Sequence, residues 1–129
     1  SYYNDSKATN TDSAIKALEA FDGHIILIAG GDDKLTDLGE FMELVHARVD
    51  ELILVGDAAE RFAAAARDAG IPEEQIHRVG YHMEKAVQLA RELAVEGQIV
   101  LLSPACASFD MYGGYEERGR DFKRLVNEL

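Results

Sequence analysis

"HIILIAGGDDK" (His24–Lys34) is a short apolar run with three isoleucines that breaks at a pair of glycines. The run is too short for a helix, and it is apolar at successive positions rather than at alternate ones. A strand of that kind must be covered on both faces, as happens inside a parallel sheet flanked by helices. The same form recurs in "ELILVG" (51–56) and "QIVLLS" (98–103). "QIHRVG" (75–80) is a weaker version, and "SYYND" (1–5) reads as a further short strand.

Helical patterns lie between these strands. Ile15, Leu18 and Phe21 recur at intervals of three, and Leu38, Phe41, Met42 and Val45 make one face of a second helix. A third helix is alanine-rich from Ala58 to Ala69, and a fourth runs from Met83 to Val95. Phe122, Leu125, Val126 and Leu129 share one side of the last segment. Gly23, Gly70 and Gly97 follow helices as stop signals, with Pro72 just beyond the second of them. The order is β-α-β-α-β-α-β-α-β-α. It predicts one α/β domain over residues 1–129: a mostly parallel, doubly wound (Rossmann-like) sheet with helices on both faces.

Charge narrows the partners. The chain carries 24 acidic and 13 basic residues, a net charge of −11, which repels a phosphate backbone unless a local basic patch intervenes. The densest basic group is Arg118, Arg120, Lys123 and Arg124, and it is interleaved with Glu116, Glu117 and Asp121. It reads as a solvated helix face, so no nucleic-acid role is expected. No apolar run is long enough to span a bilayer, and no membrane insertion is expected. The polar start carries no signal-peptide pattern, and Ser1 in place of Met fits a domain cut from a longer chain. The lone cysteine, Cys106, excludes an internal disulfide and reads as a small buried residue. His24, His46, His77 and His82 fall in no metal-ligand spacing, so no metal site is expected.

Three polar loops follow strands, and a parallel sheet brings loops of that kind to one edge, where ligands bind. "NDSKATN" (4–10) holds more hydrogen-bonding groups than a helix cap uses. Thr9, Asn10 or Thr11 can cap the first helix, while Asp5 and Lys7 are left over and would share one face of an extended segment. "GGDDK" (30–34) pairs a tight turn with the point charge of Lys34, suited to a carboxylate or phosphate. "SPACASFDMYGGYEERG" (103–119) opens a long irregular stretch in which small residues admit close backbone approach and Ser108 offers a hydroxyl.

In this order the three loops resemble the C-terminal domain of the Mur ligases, and among them the D-glutamate-adding branch. "NDSKATN" is similar to that branch's opening signature, "GGDDK" to its GG-x-x-K turn, and "LLSPACASFDMYGGYEERGRDF" (101–122) to its final motif. The resemblance implies a cytoplasmic, ATP-dependent ligase of peptidoglycan synthesis acting on UDP-N-acetylmuramoyl-L-alanine and D-glutamate. It implies that Thr9 and Lys34 hold the α-carboxylate of D-glutamate. The side-chain carboxylate would go to Ser108 and the backbone around Phe109 and Tyr115, and Asp5 and Lys7 would face the nucleotide. Phe109 stands where many members have Leu, and Tyr115 where many have Phe; both substitutions keep an apolar side chain. A substrate with two carboxylates is expected to have few acids around its site. The family's phosphate loop, magnesium ligands, modified lysine and UDP-binding domain lie in upstream domains, so ATP and Mg would be bound mainly there. No residue of this chain is expected to be catalytic, and the chain alone is expected to be inactive.

Two other readings compete with this one. One is a stand-alone flavodoxin-like ligand-binding or regulatory module, with Asp32, Asp33 and Asp57 as an imagined phosphoacceptor pocket. The other is a sister ligase for meso-diaminopimelate, which would be expected to carry D-N-P-R; no such stretch occurs.

Overall fold

The computed structural model describes residues 1–129. Its elements follow the expected alternation: β1 (Tyr2–Asn4), α1 (Thr11–Glu19), β2 (Ile25–Gly30), α2 (Gly39–Arg48), β3 (Val49–Val55), α3 (Ala59–Asp68), β4 (Ile76–Arg78), α4 (Met83–Leu93), β5 (Ile99–Leu102) and α5 (Tyr115–Asn127). A single 3-10 turn (Glu73–Gln75) leads into β4. All strand pairings are parallel, in the order β1-β5-β2-β3-β4. β2 lies at the centre, in register with β3 from Ile26–Glu51 to Gly30–Val55 and with β5 from Ile25–Ile99 to Ile28–Leu102.

Successive residues of β2 serve opposite faces, as the period of a strand requires. Ile25, Leu27 and Ala29 join a core with Leu18, Phe41, Met42, Phe62 and Ala63, so α1, α2 and α3 cover one face. Ile26 and Ile28 join Ile53, Val87, Ala90 and Phe122 beneath α4 and α5 on the other. Every residue of β2 is buried, which explains the unbroken apolar run.

Local signals set the ends of several elements. Asn10 caps α1, its side chain accepting from the Ser13 N–H at 2.9 Å. Arg48 closes the other end of α1 by donating to the carbonyl of Phe21 at 2.6 Å. Gly70 takes the positive φ expected just past α3. Gly97 does not end α4, which stops at Leu93; it serves the turn before β5 instead.

The sheet has a switch point between β5 and β2. The helix after β2 packs on one face and the helix after β5 on the other. The chain therefore diverges there, beyond the strands' carboxyl ends, where open α/β sheets bind ligands.

Candidate functional site

The three polar loops meet at that edge, and the backbone itself joins two of them. The Gly30 N–H donates to the Pro104 carbonyl at 3.0 Å, and the Asp32 N–H to the Ala107 carbonyl at 2.9 Å, as an antiparallel bridge. Gly31 makes this approach possible. A Cβ there would lie 3.1 Å from Cys106 Cβ and closer still to the Ala107 carbonyl, and its φ of +139° disfavours a side chain. Ala105 also holds a positive φ, +61°, an uncommon conformation at a residue with a side chain.

The loop after β1 is a turn rather than the extended segment expected. The Ala8 N–H donates to the Asp5 carbonyl at 2.9 Å, so Asp5 and Lys7 do not share one strand face. The two diverge: Asp5 accepts from the buried Ser103 hydroxyl at 3.0 Å, while Lys7 is exposed. The turn wins because the Asn4 side chain accepts the Ser6 N–H at 3.2 Å, an Asx turn that competes with extension of β1. Thr9 is half-buried just before the cap. The entry to α1 and the loop after β2 border a common cleft of about 200 Å³, lined by Thr11, Asp12, Thr36 and Asp37 among others; neither Thr9 nor Lys34 lines it.

Lys34 is exposed at the tip of its loop. The residue before it is the anchor. Asp33 accepts from Arg61 Nε at 3.1 Å and 2.9 Å through its two oxygens, and from the Leu35 N–H at 2.8 Å. The Arg61 hydrogen bond holds the Asp33 carboxyl below the usual carboxylate range. This pairing removes Asp33 from any phosphoacceptor pocket and assigns it to holding the lysine loop. Asp57, the third acid of that alternative, accepts from the Tyr81 hydroxyl.

In the last loop Ser108 is 2% exposed, and its hydroxyl has no hydrogen-bond partner. Buried hydroxyls are normally satisfied, so this one has a hydrogen bond free to give, as does Arg61 Nη2, and one Asp110 oxygen is free to accept. The Ser108 carbonyl, in contrast, accepts from the N–H groups of Met111 at 3.1 Å and Tyr112 at 2.8 Å. Phe109 is 69% exposed and Tyr115 40%, so both present surface at the same edge. Cys106 is buried, and burial together with the charge of Asp33 pushes its thiol up to about 12, which leaves it inert as a nucleophile.

The site is less free of acids than a double carboxylate would suggest. Asp110 lies two residues from Ser108, accepts the Asp57 N–H at 3.0 Å, and has its carboxyl raised by burial and by the charges of Asp57 and Asp32. Cations compensate: Lys7 and Lys34 at the surface, Arg61 beside Asp33, and Arg118 beneath the loops. No group of three or more His, Cys, Asp or Glu side chains is placed to hold a metal.

Arg118 corrects the reading of the last helix. It is 2% exposed, not part of a solvated face, and it donates to the Ser6 hydroxyl, the Ser6 carbonyl and the Cys106 carbonyl. The expected pattern does hold for Arg124, which pairs with Asp121 and Glu128. Periodicity carried the missed signal: Arg118, Phe122 and Leu125 stand at i, i+4 and i+7, the buried stripe of α5.

Comparison with known proteins shows which family the sequence belongs to. The sequence model of the family described as "Mur ligase, glutamate ligase domain" matches residues 1–106. The chain is 49% identical over 128 residues to a protein of Thermoanaerobacter sp. (strain X514) named UDP-N-acetylmuramoylalanine--D-glutamate ligase. It is 48% identical over 128 residues to the protein of that name from Clostridioides difficile (strain 630), and each match takes in 99% of the chain. A third, from Desulfitobacterium hafniense (strain Y51), is 50% identical over 125 residues, 97% of the chain. The chain spans 28% of the length of the first two relatives and 27% of the third. No helix is long and apolar enough to cross a membrane. With the family's sequence model matching from the first residue through Cys106, the chain belongs to the Mur ligase, glutamate ligase domain family.

Proposed function

We propose that this chain is the C-terminal, D-glutamate-binding domain of an ATP-dependent ligase that joins D-glutamate to UDP-N-acetylmuramoyl-L-alanine in peptidoglycan synthesis. The observation that carries the reading is the joining of the three loops at the switch point by the Asp32–Ala107 bridge and the Arg118–Ser6 contacts. The relatives' names support this reaction, and the convergence of the loops supports a binding part in it. Thr9 and Lys34 hold the α-carboxylate of D-glutamate. Ser108, with the backbone around Phe109 and Tyr115, holds the side-chain carboxylate. The unpartnered Ser108 hydroxyl supports this role, because a carboxylate is the acceptor it lacks. Asp5, fixed by Ser103, and Lys7 face the nucleotide.

Mechanistically, this chain binds and orients. Two fixed carboxylates leave the D-glutamate amine as the group free to attack, and orientation of that kind replaces lost entropy in the transition state. Bound ATP and Mg would supply activation of the other substrate as an acyl phosphate. We place that step in upstream domains, which would hold ATP and Mg. The work would serve cell-wall biogenesis, and through it cell shape and division, in the cytoplasm.

The test is a coupled ADP-release assay on the full-length ligase and on this chain. The full-length enzyme should release ADP only with D-glutamate and UDP-N-acetylmuramoyl-L-alanine together, and Lys34→Ala should raise KM for D-glutamate. This chain alone should give no turnover. A full-length enzyme indifferent to D-glutamate would overturn the assignment.

A further inference from the structure

We propose that Arg118 is a positioning residue that locks the nucleotide-facing loop to the D-glutamate loop, with Ser6 as the node between them. The proposal rests on the functional reading above and adds to it a residue that touches neither ligand.

The geometry has three parts. First, Arg118 reaches from the first turns of α5 under both loops. Its Nε donates to Ser6 Oγ at 2.9 Å and its Nη1 to the Cys106 carbonyl at 3.0 Å, while Nη2 donates to the Ser6 carbonyl. All three acceptors are neutral oxygens, two backbone carbonyls and one hydroxyl, so the guanidinium serves the loops rather than a carboxylate partner. Second, the Ser6 hydroxyl passes the link on by donating to the Tyr115 carbonyl at 2.7 Å, so the turn that carries Asp5, Lys7 and Thr9 is fastened to the start of α5. Third, the next residue packs closely against the turn. A Cβ on Gly119 would lie 3.2 Å from Ser6 Cβ, and the Gly119 carbonyl accepts the Asn4 amide at 2.8 Å. The Arg-Gly pair is thus one device: the arginine holds the turn and the glycine lets it come close.

Burying a guanidinium is costly, and burial brings its pKa down to about 10, which still leaves it charged at neutral pH. Three planar donors spread over two loops fix both distance and angle, which a single lysine ammonium would not do. The arrangement makes the two halves of the proposed site move as one body. D-glutamate bound at Ser108 and Tyr115 therefore meets Thr9 at a fixed separation, and the two carboxylates are gripped together.

The test uses the full-length ligase with Ser6→Ala, Gly119→Ala, Arg118→Met and Arg118→Lys. Each is compared for KM of D-glutamate, KM of the UDP-linked substrate, kcat and melting temperature. Ser6→Ala keeps Arg118 on both carbonyls, so it should fold, with KM for D-glutamate raised about threefold to tenfold, the loss of one or two hydrogen bonds at the node. KM for the UDP-linked substrate should stay within about twofold, since a general loss of folded enzyme lowers apparent kcat and leaves KM values alone. Arg118→Met should exceed that effect, with Arg118→Lys between them, and the Ser6→Ala/Arg118→Met double variant should be no worse than Arg118→Met alone. If Arg118→Met does not fold, Ser6→Ala and Gly119→Ala decide the matter. A folded Ser6→Ala with unchanged KM for D-glutamate, or one in which all substrate KM values rise in parallel, overturns the proposal. A wild-type enzyme that does not saturate with D-glutamate instead overturns the functional reading beneath it.

Discussion

Replacing Asp33 by Asn tests the claim that Lys34 is held in place by the residue before it. Asp33 accepts two hydrogen bonds from Arg61 Nε and one from the Leu35 N–H. The amide keeps the shape but loses the charge, one of its two acceptors and the match to the guanidinium. Exposed pairs contribute about 0.2–1 kcal/mol, and breaking a fully buried pair costs about 3–5 kcal/mol. Here the side chains are 16% exposed for Asp33 and 33% for Arg61, so the pair lies between those limits and nearer the lower one. We expect a loss of about 1–2 kcal/mol, or roughly 4–8 °C in Tm for a domain of this size. Urea unfolding should show a lower midpoint at unchanged slope. The sign with pH is fixed: the folded-state carboxyl is held below its ordinary value, so its contribution is present above the unfolded pKa near 3.8. It is lost as pH falls through the lower folded value. The gap between wild type and Asp33→Asn should therefore be full at pH 7 and shrink below pH ~4. A gap within about 0.3 kcal/mol at pH 7, or one that widens in acid, would refute the reasoning.

Other expectations follow from single features. The buried Cys106 thiol, pushed up to about 12, should resist aromatic disulfide reagents at pH ~8 in the native state and react at once in denaturant; rapid native reaction would show it to be accessible. Gly56 has a φ of +74°, and a Cβ there would lie 2.9 Å from Gly31 Cα and meet the Asp110 carboxylate. Gly56→Ala should therefore cost about 2–4 kcal/mol by denaturant unfolding, from backbone strain and overpacking together. Phe62 is 1% exposed and packs near Phe41, with ring centroids 6.0 Å apart, so Phe62→Ala should cost about 3–5 kcal/mol by the same measurement. Lys34→Ala should leave Tm within about 1 °C, because the side chain is exposed, while weakening D-glutamate binding.

The sheet was legible because burial on both faces leaves an unmistakable mark. Ile25 to Ala29 has no polar position, and neighbouring strands repeat the pattern. Strand order was not legible, since no residue of β5 states that it inserts between β1 and β2. The loops were legible as polar surplus after strands, and their convergence followed from parallel topology. What held them together was hidden for two reasons. Alternation puts Asp5 and Lys7 on one face, but the Asn4 side chain turns the chain before alternation applies. The charged neighbours of Arg118 suggest a solvated face, although its spacing to Phe122 and Leu125 places it on the buried stripe. Asp33 and Arg61 are 28 residues apart, and nothing local in either predicts the other.

An amide NMR titration of this chain with D-glutamate, and with L-glutamate as control, tests the central claim most directly. The account predicts shifts at Thr9, Lys34 and Ser108 that are larger with D-glutamate than with L-glutamate, with Lys7 responding through Ser6. Equal responses to both enantiomers, or responses confined to surfaces away from these loops, would contradict it.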